Sequence, residues 1–242
     1  MEAWSDSKSD PDGAGLRLFL DSAAPADWAR FLPLGVFYGV TTNPLLLQRA
    51  GQKCTLNNLA AMVTTMAEFG VREIQVQVWG ESVAEMVSCG QHLGELKSSE
   101  ARLVIKVPAT EMGLQAAAQL SGQGHAITLT AVYTPGQVLL AAGMDAAYAA
   151  PYLNRLVEAG QPGPEIVLAM SRILVGTSSP TRLLVASLRS AEQILDLAAQ
   201  GLDTFTFGSA VADELLSSEL TAKAARQFQA AAEAMGSNKE SR

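Results

Sequence analysis

LVIKVPAT, Leu103 to Thr110, sets one charged side chain, Lys106, in a run that otherwise reads as a strand buried on both faces, with Val104, Ile105 and Val107 around it. Burying an unpaired ammonium costs several kcal/mol unless the group finds a partner or gives up its proton. Lowering a lysine from about 10.4 to the roughly 7 to 8 useful in catalysis costs on the order of 4 kcal/mol at about 1.4 kcal/mol per unit. The product is a neutral amine, which is a nucleophile. A second reading is open on this stretch alone: a lysine at a strand end that snorkels its head into water or pairs with a carboxylate. The segments on either side decide between the two.

Working outward, β-rich runs recur between helix-like segments: LRLFLD (16 to 21), VFYGVTT (36 to 42), EIQVQVW (73 to 79), RLVIKV (102 to 107), HAITLTAVY (125 to 133), AAYAAPY (146 to 152), TRLLVAS (181 to 187) and DTFTF (203 to 207). Alternating strands and helices predict a parallel sheet covered by helices. Helix starts are marked by Ser82 with Glu85, by Thr134 with Pro135 and Gln137, and by Ser190 with Gln193, each a capping-box spacing. Eight βα units in 242 residues predict an α/β fold, a TIM (β/α)8 barrel, for which roughly 250 residues is typical. An open doubly wound sheet is the alternative, without a G-x-G-x-x-G after the first strand to favour it. The barrel is expected over 16–236 as a single domain, including an extra amphipathic C-terminal helix in SSELTAKAARQFQAAAEAM (217 to 235). Residues 1–15 read as a flexible acidic tail and 237–242 as a polar tail.

Composition excludes several classes. With 48% apolar and 17% charged residues the chain can bury a large core. Its net charge of −7 supplies no general attraction to nucleic acid or an anionic membrane, so neither is an expected partner. Cys54 and Cys89 lack C-x-x-C spacing and point to a reducing compartment rather than a disulfide framework. The first residues carry no apolar stretch of a secretory signal, no run is long enough for a membrane span, and the cytoplasm is the expected location.

In a barrel the strand ends converge on one mouth, however far apart they lie in sequence. Read that way, the polar residues closing the runs form a set: Asp21; Thr41, Thr42 and Asn43; Gln77; Lys106; Thr130; Tyr152 and Arg155; Ser187 and Arg189. Each has an ordinary explanation alone, a cap for Asp21, a turn for Asn43 before Pro44, a solvated face for Arg155. Their joint placement is harder to attribute to chance. His92 and His125 lack ligand spacing, and Trp79 reads as core packing with the mouth as its alternative.

The motifs LFLD, GVTTNP, IKVPAT, TLTAVY, APYLNRL and VASLRS, in this order from Leu16 to about Phe228, resemble the transaldolases and fructose 6-phosphate aldolases, class I Schiff-base enzymes. The departure is TTNPLLL, where a small or polar residue commonly follows the proline. The resemblance implies Lys106 as the Schiff-base amine and Asp21 as its proton-handling carboxylate. It implies Asn43, Thr42 and Ser187 around the dihydroxyacetone part, and Arg155 and Arg189 at the phosphate. Gln77 and Tyr152 match the aldolase subgroup, whereas classical transaldolases carry Glu and Phe, and with Thr130 they are expected to hold a water. The activity implied is reversible cleavage of fructose 6-phosphate to dihydroxyacetone and glyceraldehyde 3-phosphate. Transaldolase transfer within the pentose phosphate pathway is the alternative, and a non-catalytic sugar-phosphate-binding barrel a remote one. No metal or organic cofactor is implied. The partners implied are a small sugar phosphate and further copies of the chain in a ring-type homo-oligomer, a decamer being one form, with the C-terminal helix reaching a neighbour.

Overall fold

The computed structural model describes residues 15–96 and 101–235, so the tails expected at 1–15 and 237–242 lie, Gly15 aside, outside the described residues. The strands are β1 Arg17–Asp21, β2 Gly39–Thr41, β3 Glu73–Gln77, β4 Arg102–Pro108, β5 Ala126–Val132, β6 Tyr148–Pro151, β7 Arg182–Leu183 and β8 Thr204–Phe207. Every pairing is parallel, β1 to β7 run in sequence order, and β8 lies beside β1. The ring closes between β7 and β8, where the Val185 N–H donates to the Thr204 carbonyl at 3.0 Å and the Thr206 N–H to the Val185 carbonyl at 2.9 Å. This is the (β/α)8 barrel expected from the alternation.

TRLLVAS forms a regular ladder only over its first part. Beyond it Leu184 and Ala186 still donate to β6, at Ala149 and Pro151, while Val185 faces β8, so the run remains a strand in its hydrogen bonding. The caps follow the sequence with one shift. Thr134 and Gln137 make a complete capping box. Ser82 and Ser190 accept from the N–H groups of Glu85 and Gln193, but the carboxyl of Glu85 and the amide of Gln193 accept from Glu81 and Arg189, one residue before the cap. The C-terminal helix spans Glu219–Ala234, within the segment expected for it.

Strand side chains alternate between two cores. Outward residues such as Leu20, Val40, Ile74, Ile105, Val107 and Leu129 pack against helix residues such as Trp28, Met66, Leu93 and Leu120, each buried aliphatic side chain contributing about 1.5–3 kcal/mol. Inward, Phe19, Val104, Tyr148, Ala150 and Leu184 fill the barrel. At its amino end the interior is closed by a polar chain. Arg17 donates to the Tyr148 hydroxyl, Tyr148 to Glu73 at 3.0 Å, Gln75 to Glu73 at 2.8 Å, and Thr128 to Gln75 at 2.9 Å. Full burial pushes the Glu73 carboxyl up, and the bond from Gln75 and the charge of Arg102 pull it back. The site is thereby confined to the opposite, carboxyl end.

Gly39 is a tight point of the inward packing. A Cβ there would lie 2.2 Å from the Glu73 carbonyl oxygen and 2.8 Å from the ring of Phe19. Gly39→Ala is therefore expected to destabilise by about 1–3 kcal/mol, roughly 2–4 °C in Tm per kcal/mol for a chain of this size. A thermal melt with unchanged Tm sinks that account.

Candidate active site

Lys106 is the fifth residue of β4, pairs in register with Gln77 and Thr128, and is 4% exposed. Its Nζ donates to the Thr42 carbonyl oxygen at 3.1 Å. Burial holds the amine below the ordinary lysine range, and the charge of Asp21 opposes that only in part. Asp21 closes β1, and its carboxylate accepts from the Thr41 hydroxyl at 2.6 Å, which also contacts the hydroxyl of Thr206 on β8. Three strands thus fix one carboxylate beside the amine.

On the other side, the Tyr152 hydroxyl lies 3.0 Å from the Thr130 hydroxyl. Burial pushes the phenol up, the Thr130 bond lowers it, and Asp21 raises it again. Two backbone irregularities stand beside this pair. The β5–β6 register shifts between Leu129 and Val132, with Ala131 at φ 56°, and Ser187, at the end of the TRLLVAS run beyond β7, takes φ 58°. Left-handed backbone at a non-glycine residue is costly and gathers at functional sites. Asn43 caps the helix Pro44–Arg49, its Oδ1 accepting from Leu45 at 3.0 Å and Leu46 at 3.1 Å. Its amide nitrogen is then the group left for a ligand.

A cavity of about 230 Å³ opens above Lys106. Of the residues singled out in the sequence, Asp21, Asn43, Lys106, Tyr152, Arg155, Ser187 and Arg189 line it. Thr42, Gln77 and Thr130 are not among the residues that line it but adjoin those that do. Thr42 is 1% exposed and serves through its carbonyl, Gln77 is the register neighbour of Lys106, and Thr130 touches Tyr152. Arg155 is paired with Glu158 at 3.2 Å, and Arg189 is exposed at the rim. Sequence reasoning missed Arg49, Leu45, Leu46, Thr206 and the start of the helix Ser209–Leu216, which also contribute to the lining. Leu45 and Arg49 are four apart on one helix and so share a face, but nothing in the sequence marks that face as the one turned to the cavity.

Trp79 is half-buried against the outer core, as its packing reading had it, and His92 is exposed with Nδ1 2.7 Å from the Ser88 carbonyl. Among the described residues no group of three His, Cys, Asp or Glu could hold a metal ion, and no helix is long and apolar enough to cross a membrane.

A closed parallel barrel with a desolvated lysine and a carboxylate at its carboxyl end has the architecture of a (β/α)8 enzyme. Its backbone is similar to the dihydrodipicolinate synthase of Rhodopseudomonas palustris, with a TM-score of 0.55 at 18% identity, covering 83% of this chain and 72% of that one, which speaks to fold alone. The pattern of the Transaldolase/Fructose-6-phosphate aldolase family matches residues 18–241, and the chain belongs to that family. It is 32% identical over 213 residues to a probable transaldolase of Lactiplantibacillus plantarum, covering 88% of this chain and 94% of the relative. It is also 32% identical over 216 residues to one of Chlorobium phaeobacteroides, covering 88% and 96%. It is a transaldolase-family enzyme.

A depressed lysine is a stability cost whose sign is fixed. Below the unfolded value of about 10.4 the folded state binds the proton less tightly than the unfolded state, so the lysine destabilises by up to about 1.4 kcal/mol per unit of depression. Above that value both states are neutral and the cost disappears. Lys106→Met is therefore expected to raise stability at pH 7, with the gain shrinking as pH rises towards 10.4. Denaturant melts across that range check it, and a variant less stable than its parent at pH 7 overturns it.

Proposed function

We propose that the enzyme is a Schiff-base aldolase that reversibly cleaves fructose 6-phosphate to dihydroxyacetone and glyceraldehyde 3-phosphate. The observation carrying this reading is the Lys106 amine, buried with a neutral carbonyl, that of Thr42, as its hydrogen-bond partner. An ammonium there would lack a counter-charge in contact, and a free amine needs none. The amine adds to the ketone, water leaves, and a protonated Schiff base results. As the hydroxyl on the fourth carbon loses its proton, the bond to the third carbon breaks and its electron pair passes into the iminium, leaving an enamine and free aldehyde. Protonation of the enamine and hydrolysis then release dihydroxyacetone and restore the amine. Asp21, within electrostatic reach of both Lys106 and Tyr152, takes and returns the protons.

The family resemblance assigns Asn43, Thr42 and Ser187 to the three-carbon unit and Arg155 and Arg189 to the phosphate, for which a planar guanidinium is suited. In Asn43 and Ser187 the assignment has direct support from their place on the cavity wall, while Thr42 would act through the carbonyl that holds Lys106. Cleavage is preferred to transfer because Tyr152 and Thr130 present paired hydroxyls, with Gln77 beside Lys106, to hold a water for the enamine. The names of the relatives, probable transaldolases, favour the second reading, in which the three-carbon unit passes to erythrose 4-phosphate. We read the barrel and its C-terminal helix as one catalytic unit acting in cytoplasmic carbohydrate metabolism without a cofactor.

Incubation with fructose 6-phosphate alone should release free dihydroxyacetone, and borohydride should trap the adduct on Lys106, read by peptide mass mapping. Strict dependence on erythrose 4-phosphate would decide for transfer, and an adduct on another lysine would remove the mechanism.

Assembly is part of the same proposal. The helix Glu219–Ala234 buries none of its residues in the single chain and leaves Leu220 81% and Phe228 73% exposed. An apolar face of that kind suits a neighbouring copy in a ring. Light scattering should show an oligomer that Leu220→Glu with Phe228→Glu breaks down; a monomeric parent contradicts it.

A further inference from the structure

A third guanidinium borders the cavity, from the wall opposite the two that the resemblance supplied. Arg49 ends the helix that follows β2 and lines the cavity together with Leu45, one turn earlier on the same face. Arg155 and Arg189 come from the segments after β6 and β7, across the mouth. Their electrostatic situations differ. The charge of Arg155 is compensated by Glu158 at 3.2 Å, and Glu158 also accepts from Asn154 at 2.8 Å, which anchors the pair to its own helix. Arg49 is exposed and, among the described residues, has no such carboxylate. The carboxylate lining the cavity is Asp21, and it is occupied by Thr41 and faces Lys106.

The size of the cavity gives this arrangement its consequence. The three guanidinia line one space of about 230 Å³, a scale comparable with the ~8 Å over which physiological salt screens a charge. An anion held there is attracted by all three guanidinia at once. Leu45 and Leu46 line the same wall and give no competing polar acceptor, so the charge of Arg49 is the polar feature that helix offers to a ligand beyond the amide of Asn43.

We propose that Arg49 is a specificity-determining residue that holds the phosphate of the sugar from the β2 side and thereby selects phosphorylated over neutral aldehydes. This rests on the reading of the cavity as a sugar-phosphate site. The competing role for Arg49 is that of a cation at a helix C-terminus, favourable to the helix and indifferent to the ligand.

The test uses the full chain and the variants Arg49→Ala and Arg49→Lys. Condensation of dihydroxyacetone is measured with glyceraldehyde 3-phosphate and with glyceraldehyde, and inorganic phosphate is titrated calorimetrically. In Arg49→Ala the ratio of kcat/KM for the phosphorylated over the neutral aldehyde is expected to fall about fivefold to tenfold, phosphate affinity to fall similarly, and the lysine variant to lie between. An unchanged ratio, or equal losses with both aldehydes, overturns the proposal in favour of the helix-end role. If the parent condenses neither aldehyde, the aldolase reading fails and the phosphate titration alone decides Arg49, with unchanged affinity counting against it.

Discussion

A charge inside the barrel has no bulk water to turn to, and the two ends of the interior meet that constraint in opposite ways. At the amino end Glu73 is fully buried but surrounded by donors, from Gln75 and Tyr148, with Arg17 behind the tyrosine and Arg102 3.9 Å away. Such a network is strong because it is complete. At the carboxyl end Lys106 is buried almost as deeply and receives a neutral carbonyl at 3.1 Å. The contrast is between a charge that the fold satisfies and one that it leaves unsatisfied. Only the second is available for chemistry.

The remainder of the structure can be read as what holds that lysine in place. The outer core between sheet and helices supplies the stability from which the cost of a desolvated amine is subtracted. The barrel ladder sets Lys106 between Gln77 and Thr128, and the shared hydroxyls of Thr41 and Thr206 tie β1, β2 and β8 together under Asp21. The bulge in β5 and the left-handed Ser187 add local backbone cost at the mouth, where rim side chains have to leave the regular alternation of a strand. Arginines from three different segments then line a small space, which gathers positive charge locally in a protein of net charge −7.

Much of this was legible along the chain. Strand and helix positions follow from periodicity and caps, because both are local properties: Thr134 with Gln137 forms its capping box wherever the helix goes. The barrel follows from the count of βα units. Asp21, Lys106, Tyr152 and Ser187 stand out as polar residues at the ends of apolar runs, which is a one-dimensional signal. Arg49 gives no such signal, since it sits in the last turn of a helix where an arginine is ordinary. Thr206 lies inside DTFTF, where alternation alone leaves open which hydroxyl faces the barrel.

The sequence by itself determined the order of the elements, the barrel class, the family resemblance and the lysine set within a buried strand. The tertiary structure decided which candidates share a space. Thr42 contributes a carbonyl rather than its side chain, Gln77 and Thr130 adjoin Lys106 and Tyr152 without lining the cavity, Arg155 is already paired, and Arg49 lines the cavity, among the described residues, without such a partner. The physical reason is that desolvation and pairing depend on distances between strands far apart in the chain. Lys106 and Thr42 are separated by 64 residues, and no local pattern records that one will solvate the other.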